Sequence, residues 1–541
     1  MKSKWLVLAV LSAAQFLMVL DQAVMNVSIS QLVEDFDTTV TTIQTVIALY
    51  ALVMAGLMLT GGKLGDMWGR KRAFIIGLVI YAAGSSLTAA SWDIPSLVLG
   101  WSVLEGIGAA LVLPAMVALV AGNYEGKDRA IAYGVLGGVA GAGIAVGPIL
   151  GGWVTTEYTW RLVFIGEVVV AAGILIGSRA IREPSREGNA AHLDWVGSVL
   201  SASGLSLLVL GVLQASNWGW LQPSNSPVEP FGLSLTPFVI AAGVVVLGLF
   251  RSWERHREES GQEPLVHFRL FSISTLRGGL SMLLAQNMIL MGIFFTIPLY
   301  LQVVLGFNAL DTGIRMLPTS VGLFVTALAG SMLASKFPAR TLVRVGLGVI
   351  LLSALMLMAT IEPELDNTDF LVAMGVLGVG MGLVISQLGN VVQSSVGDKD
   401  RSEAGGLQNT AQQLGSSLGT ALLGAIVITG LIGAFTSNVA DDPSISNDVK
   451  QELEVRLSSG GSFVSSDVVR SSAAEAGVDD DTAEALVDNY EDAQLMALKV
   501  ALLFAALLVL PSFWSTRNLP NRRFDEIQSD PDPPATEAVA T

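Results

Sequence analysis

Cysteine is absent from the 541 residues, and histidine occurs only as His192, His256 and His267. The first absence excludes disulfides, thiolate metal sites and a cysteine nucleophile. The second leaves too few imidazoles for a metal or catalytic cluster, because all three fall in or beside polar connections. No metal site is expected on that ground. Charge is scarce as well: 14% of residues are Asp, Glu, Lys or Arg, against about 25% in a soluble protein. A net charge of −16 removes any broad basic face, so nucleic acid is not an expected partner. No nucleotide-binding motif is present. No cofactor is expected, and an ion gradient is left as the energy source by elimination.

What the chain does have is hydrophobic length. Apolar residues make up 52% of it, and the mean hydropathy is +0.61. Long runs recur with charge confined between them. Each approaches the ~20 residues that an α-helix needs to cross a bilayer. Lipid-exposed backbone must be internally satisfied, so such runs are helices or a closed barrel. The runs are continuous rather than alternating, which rejects the barrel. Fourteen spans are expected, the first near 5–32 and the last near 493–515. Met1–Gln15 has a signal-peptide look, with two lysines and Ser12-Ala13-Ala14. The apolar stretch continues past Ala14 and carries Asp21, so it reads as an uncleaved first span.

Charge placement orients the spans. The stretch Gly61–Arg72, GGKLGDMWGRKR, packs Lys63, Arg70, Lys71 and Arg72 between two apolar runs. Lys and Arg resist translocation, so this loop is expected in the cytoplasm. The same bias recurs at most loops on that side. It predicts a multi-pass cell-membrane protein with both termini cytoplasmic. Fourteen acids against three bases fall between Asp441 and Asp492, in an insertion outside the cytoplasm at 436–491. Val449–Leu457 and Ala473–Tyr490 have helix-like patterning there. The expected divisions are a six-helix bundle at 1–182 and two inserted spans with a cytoplasmic linker at 183–274. A second six-helix bundle follows at 275–515, then a disordered cytoplasmic tail at 516–541.

The halves echo one another. Lys127-Asp128-Arg129 recurs as Lys399-Asp400-Arg401. At the same offset Gly106 falls on Gly378, Gly108 on Gly380, Gly143 on Gly415, Gly147 on Gly419 and Gly152 on Gly424. Similar halves with loops on one side indicate a parallel duplication, a plan of secondary transporters that places the substrate between the halves.

Four stretches then carry a resemblance that covers essentially the whole chain. They are Leu20–Val27, Gly62–Arg72, Gly143–Gly152 (GIAVGPILGG) and Trp160–Phe164. The sequence resembles the major facilitator superfamily, and within it the fourteen-span drug:proton antiporters of the EmrB/QacA type. The resemblance implies an all-α fold of two six-helix bundles plus two inserted helices. It implies proton-coupled efflux of amphipathic or cationic compounds by alternating access, with no enzymatic step. Gly62, Gly65, Asp66, Gly69, Arg70 and Arg72 match the family's loop between spans 2 and 3. That loop is expected to latch the outward-facing state with Asp128 and Arg129. Gly143, Gly147, Pro148, Gly151 and Gly152 match its antiporter motif in span 5, where close packing and a proline bend serve gating.

Ionisable groups at membrane depth are functional candidates by default. Asp21, Glu105 and Glu167 are the expected proton-coupling acids. The family usually has Arg where this chain has Ser102, so Glu105 and Glu167 are expected to replace that relay, as a pair or with another partner. Asp21, Asn26, Gln286, Asn287, Gln408, Asn409 and Gln412 are the substrate-binding candidates. Arg161 and Arg315 lie near span ends, where long side chains snorkel. Expected partners are the bilayer, protons and a small amphipathic substrate, with the chain a monomer. A dedicated metabolite or lipid exporter of the same fold is the alternative. A membrane enzyme or receptor is the third class; an enzyme would want His, Cys or paired loop acids at a site, and the duplicated cavity plan argues against it.

Overall fold

A computed structural model describes the chain apart from residues 1, 125, 184–192, 335, 398–399, 448, 451–452, 454–462 and 522–541. Residues 522–541 of the tail expected to be disordered, and most of Val449–Leu457, lie outside the described residues; the start of that tail is instead ordered, with a 3₁₀ turn at Thr516–Asn518 and Arg340 donating to the Arg517 and Leu519 carbonyls.

Among the described residues, fourteen helices are long and apolar enough to cross a membrane. Spans 1 to 6 are Lys2–Val27, Val40–Trp68, Arg70–Ala89, Ile94–Val120, Gly126–Glu157 and Arg161–Gly177. Spans 7 and 8 are Trp195–Trp218 and Thr236–Glu259. Spans 9 to 14 are Ser274–Val304, Ala309–Leu333, Ala339–Ala359, Asn367–Ser394, Arg401–Asp441 and Asp480–Ser515. The near side below is the one carrying Lys2, and the far side is its opposite.

Side-chain caps start five of the helices that begin on the far side. Thr39, Asp93, Asn308, Asp366 and Asp479 each accept a hydrogen bond from a backbone N–H of the first turn, satisfying donors that helix geometry leaves open. On the near side, spans 2 and 3 are joined by one residue, Gly69, at φ 103°. That conformation favours glycine over residues with a Cβ.

Spans 1 to 6 pack among themselves, as do spans 9 to 14. The two bundles meet along two seams, span 5 against span 10 and span 2 against span 13. Span 7 pairs with span 8 and seats against spans 2 and 13 together. A separate apolar cluster of Ala48, Leu52, Leu205, Val209, Leu213 and Ala421 fills that three-way contact.

Glycines paired by the sequence offset meet equivalent neighbours. A Cβ at Gly143 would touch Val19 of span 1, and one at Gly415 would strike Leu284 and Asn287 of span 9. Gly147 faces Ala23 of span 1, and Gly419 faces Met288 of span 9. Gly152 meets Ala309 across one seam, and Gly424 meets Gln44 across the other. Small residues here let backbones approach where nothing larger fits.

Much of the acidic insertion lies within the described residues. A helix at Ser466–Glu475 precedes span 14, which itself begins at Asp480 inside the expected Ala473–Tyr490 segment. Phe463 is fully buried, and Gln494 donates to the Val464 carbonyl at 2.7 Å.

Arg161 corrects one expectation. It does not merely reach for solvent. It pairs with Asp35 at 2.8 Å, donates to the Ser91 carbonyl at 3.1 Å and lies 4.4 Å over the Trp160 ring. Asp35 ends a short helix, Ile29–Asp35, that follows span 1.

Candidate functional site

The three acids stranded in oil meet at one point. Asp21 of span 1, Glu105 of span 4 and Glu167 of span 6 are all buried, and a carboxylate oxygen of each lies within 4.8 Å of the others. The Glu105–Glu167 pairing expected from the sequence is therefore a cluster of three.

Local structure sets each group. Span 4 opens as a short α-turn, widens into a π-helix over Val98–Glu105, and returns to α at Gly106. A π-segment changes which residues face inward, and such segments concentrate at functional sites. Glu105 is its last residue. Gly84 of span 3 makes room for it, since a Cβ there would sit 2.7 Å from Glu105 Cγ. The Ser102 hydroxyl donates to the Val46 carbonyl at 2.9 Å. It ties span 4 to span 2.

Each carboxylate has one oxygen held and one not. Trp101 Nε1 donates to Asp21 Oδ1 at 2.7 Å. Thr88 Oγ1 donates to Glu105 Oε1 at 2.9 Å. Tyr81 and Ser85 hydroxyls donate to Glu167 Oε2 at 2.9 and 3.0 Å. Asp21 Oδ2, Glu105 Oε2 and Glu167 Oε1 are buried and have no hydrogen-bond partner. The Tyr50 hydroxyl is likewise unpartnered, and its ring stacks on Trp101 with centroids 4.5 Å apart.

Trp101 and Tyr50 also border a central cavity of about 20 Å³, with Gln22, Asn26, Met291, Ser416 and Thr420. It draws on both bundles. A drug-sized ligand occupies roughly 300–1,000 Å³, so this form is closed around its centre. A bigger recess of about 630 Å³, bordered by Pro318, Gly322, Leu352, Val372 and Gly375, is apolar and opens outward between spans 10, 11 and 12. It carries no ionisable group.

Of the substrate candidates, Asn26 borders the central cavity and bonds the Gln22 carbonyl. Gln286 is buried beside Met381, with its Oε1 unpartnered. Asn287 turns back on the Leu283 carbonyl. Gln408, Asn409 and Gln412 are half-buried along span 13, and Gln408 faces Gln393 at 3.5 Å. Their neighbour Gln413 crosses between the bundles to accept from Gln22 at 3.2 Å. Gln22 escaped the sequence reading, as did Tyr50, Tyr81, Ser85, Thr88 and Trp101. One signal was there to find: tryptophan belongs to membrane interfaces, and Trp101 sits mid-span.

The far side is shut by cross-bundle bonds. Gln302 donates to the Val27 carbonyl at 2.9 Å and accepts from the Ser30 hydroxyl at 2.7 Å. Leu310 N–H donates to Thr156 at 3.1 Å, and the Ser320 hydroxyl donates to the Ile144 carbonyl at 3.0 Å. Gly152 abuts Ala309, and Gly313 abuts Pro148. Gly143, Gly147 and Gly151 instead face span 1, at Val19, Ala23 and Val24.

In the near-side loop, Asp66 pairs with Arg70 at 3.5 Å, four residues on. Gly62 approaches Pro114, Gly65 approaches Ala73, and Gly69 lies against the Glu183 carboxylate. Arg72 and Asp128 are exposed, while the Arg129 side chain lies outside the described residues. Lys63 pairs with Glu263 of the linker at 2.6 Å.

The profile of the Major Facilitator Superfamily matches residues 11–420. The chain belongs to the major facilitator superfamily. Among its relatives in that superfamily is a probable actinorhodin transporter of Streptomyces coelicolor, 31% identical over 81% of this chain and 75% of that one. The puromycin resistance protein of Streptomyces alboniger is also 31% identical, over 82% of this chain and 86% of that one. A multidrug efflux pump of Mycolicibacterium smegmatis is 29% identical over 78% and 80%. A solved bacterial homologue of the human lysosomal transporter Spinster shares the major facilitator fold, with a TM-score of 0.59, 15% identity and coverage of 96% and 98%.

Proposed function

We propose that this protein is a proton-coupled exporter of amphipathic, cation-bearing compounds, working by alternating access in the cell membrane. Three clustered, buried carboxylates carry this reading, set behind the Trp101 and Tyr50 that border the central cavity. The antibiotic and multidrug exporters among its relatives support efflux itself. Repulsion between like charges so close, in low dielectric, disfavours ionising all of them. The cluster therefore takes up and gives off protons as its surroundings change. Asp21 reaches the cavity through Trp101 and Tyr50. A cation arriving there favours the ionised carboxylate, and a proton arriving displaces the cation. That competition gives antiport without catalysis.

The moving bodies are residues 1–182 and 275–515, with 183–274 and the 436–491 insertion as additions. Both termini face the cytoplasm, as the basic near-side loops require. The form described above is then closed to the outside. Asp66–Arg70 is the latch held within one bundle, ready to engage the other when the far side opens. Gly152 and Pro148 seal the far side against span 10, while Gly143, Gly147 and Gly151 hold span 5 on span 1. Gln408, Asn409 and Gln412, with Asn26, Gln286 and Asn287, line the cargo path when the bundles part.

Dedicated exporters among the relatives, such as a cephamycin export protein and a tetracenomycin C export protein, favour a second reading with a single cargo. Efflux of several unrelated cationic dyes from cells or right-side-out vesicles, with and without a pH gradient, tests both. Gradient-dependent efflux of many dyes, lost in Asp21→Asn, is the expected result. Efflux indifferent to the gradient removes the proton, and efflux of one dye alone favours the second reading.

A further inference from the structure

The same three carboxylates fit something other than a proton. We propose that Asp21, Glu105 and Glu167, with the Tyr50 hydroxyl, form a binding site for a hard divalent cation of calcium or manganese size. This inference uses the residues of the exporter reading but does not depend on proton coupling.

The argument begins with which oxygens are spoken for. The outer oxygens Asp21 Oδ1, Glu105 Oε1 and Glu167 Oε2 are each fixed by a donor, from Trp101, Thr88, and Tyr81 with Ser85. That leaves one oxygen per carboxylate, all buried and unpartnered. Metal sites are built this way, with second partners orienting the ligands. A fourth oxygen arrives independently on span 2. Tyr50 is 1% exposed, its hydroxyl has no hydrogen-bond partner, and the charged groups facing it are Asp21, Glu105 and Glu167. A buried hydroxyl left without a partner is costly, and a cation among these oxygens would satisfy all four.

Ligand chemistry narrows the ion. The sequence reading set metals aside because sulfur and imidazole are scarce, but hard cations need neither. An all-oxygen set suits magnesium, calcium or manganese and not the softer metals. A carboxylate oxygen of each residue lies within 4.8 Å of the others, near enough together to share one ion. Magnesium surrenders its water reluctantly, and the neighbouring cavity of about 20 Å³ holds about one water, which favours the larger ions. No lysine or arginine is among the partners recorded for these carboxylates. A divalent ion would offset most of the cluster's charge, where a monovalent one would leave two uncompensated negatives.

Manganese is the probe. The full-length protein, in lipid nanodiscs and stripped of metal, is titrated with Mn²⁺ at fixed pH, about pH 8 so that ligands are available, and bound ion is read by electron paramagnetic resonance. One Mn²⁺ per chain is expected to bind above the background of exterior acids. Ca²⁺ should displace it, and a roughly hundredfold excess of Na⁺ should not. Electron–nuclear double resonance in heavy water should count at most about two exchangeable waters on it. That marks a dry site without any variant. Glu105→Gln/Glu167→Gln should lose this site and keep the background. Absence of a stoichiometric site, displacement by Na⁺, a fully hydrated ion, or binding retained in a well-folded double variant would each overturn the proposal. Dye efflux that still follows a pH gradient would leave the exporter reading intact in that event.

Discussion

Trp101 Nε1 lies 2.7 Å from Asp21 Oδ1, and this one bond ties span 4 to span 1 across the centre of the first bundle. Its ring stacks on Tyr50 of span 2, so three helices converge on a single indole. Trp101→Phe should keep the stack and remove the donor. A buried acceptor left unmade costs roughly 1–3 kcal/mol. A melting temperature lowered by several degrees is expected, with a larger proportional loss of dye efflux than of folded protein. Efflux unchanged per folded molecule would detach Trp101 from function.

Replacing both glutamates by their amides preserves volume and hydrogen bonding. Glu105→Gln/Glu167→Gln should leave the fold intact by circular dichroism and flatten the pH dependence of efflux. A double variant that pumps with the parent's pH profile would remove these two residues from coupling.

Gly152 touches Ala309 across the seam of spans 5 and 10, with no space for a methyl group. Gly152→Ala should hold the far side apart. Roughly tenfold slower turnover is expected, equivalent to about 1.4 kcal/mol against closure. Spin labels on spans 5 and 10 should report a longer far-side distance. Gly147→Ala should disturb span 1 instead and leave that distance alone.

Asp35 anchors the short helix after span 1. Burial works to raise its carboxyl, but hydrogen bonds from Trp160, Gln31 and Arg161, with the charge of Arg161, outweigh it and hold it below its ordinary value. A folded value below the unfolded one, about 3.9, means that the stabilisation is complete above that pH and fades as pH falls through the folded value. Asp35→Asn should lower stability by about 1–2 kcal/mol at neutral pH. The gap between variant and parent should close on acidification below about pH 4. A gap that stays constant into acid would contradict the assignment.

The spans were legible because fourteen apolar runs have no other way to satisfy their backbone. Repeated glycines were legible too, since a glycine ridge speaks for close packing wherever it falls. What the sequence hid was rotation. Asp21, Glu105 and Glu167 sit on three helices whose facing depends on packing, and the π-turn before Glu105 breaks the periodicity from which a facing could be inferred. Arg161 was misread for a related reason, because its partner Asp35 lies on a helix too short to announce itself. The Gln stripe on span 13 was visible as a stripe, but its bridge to Gln22 is a contact between bundles that no local pattern encodes.

Spans 7 and 8 give the protein unequal flanks. By seating on spans 2 and 13 together, span 7 covers one of the two lines where the bundles join, and span 8 packs behind it. The other line, between spans 5 and 10, keeps apolar side chains such as Val146, Leu150, Ile314 and Val321 exposed. The two lines where the bundles join are therefore unequally covered, one screened by an added helix pair and the other facing outward.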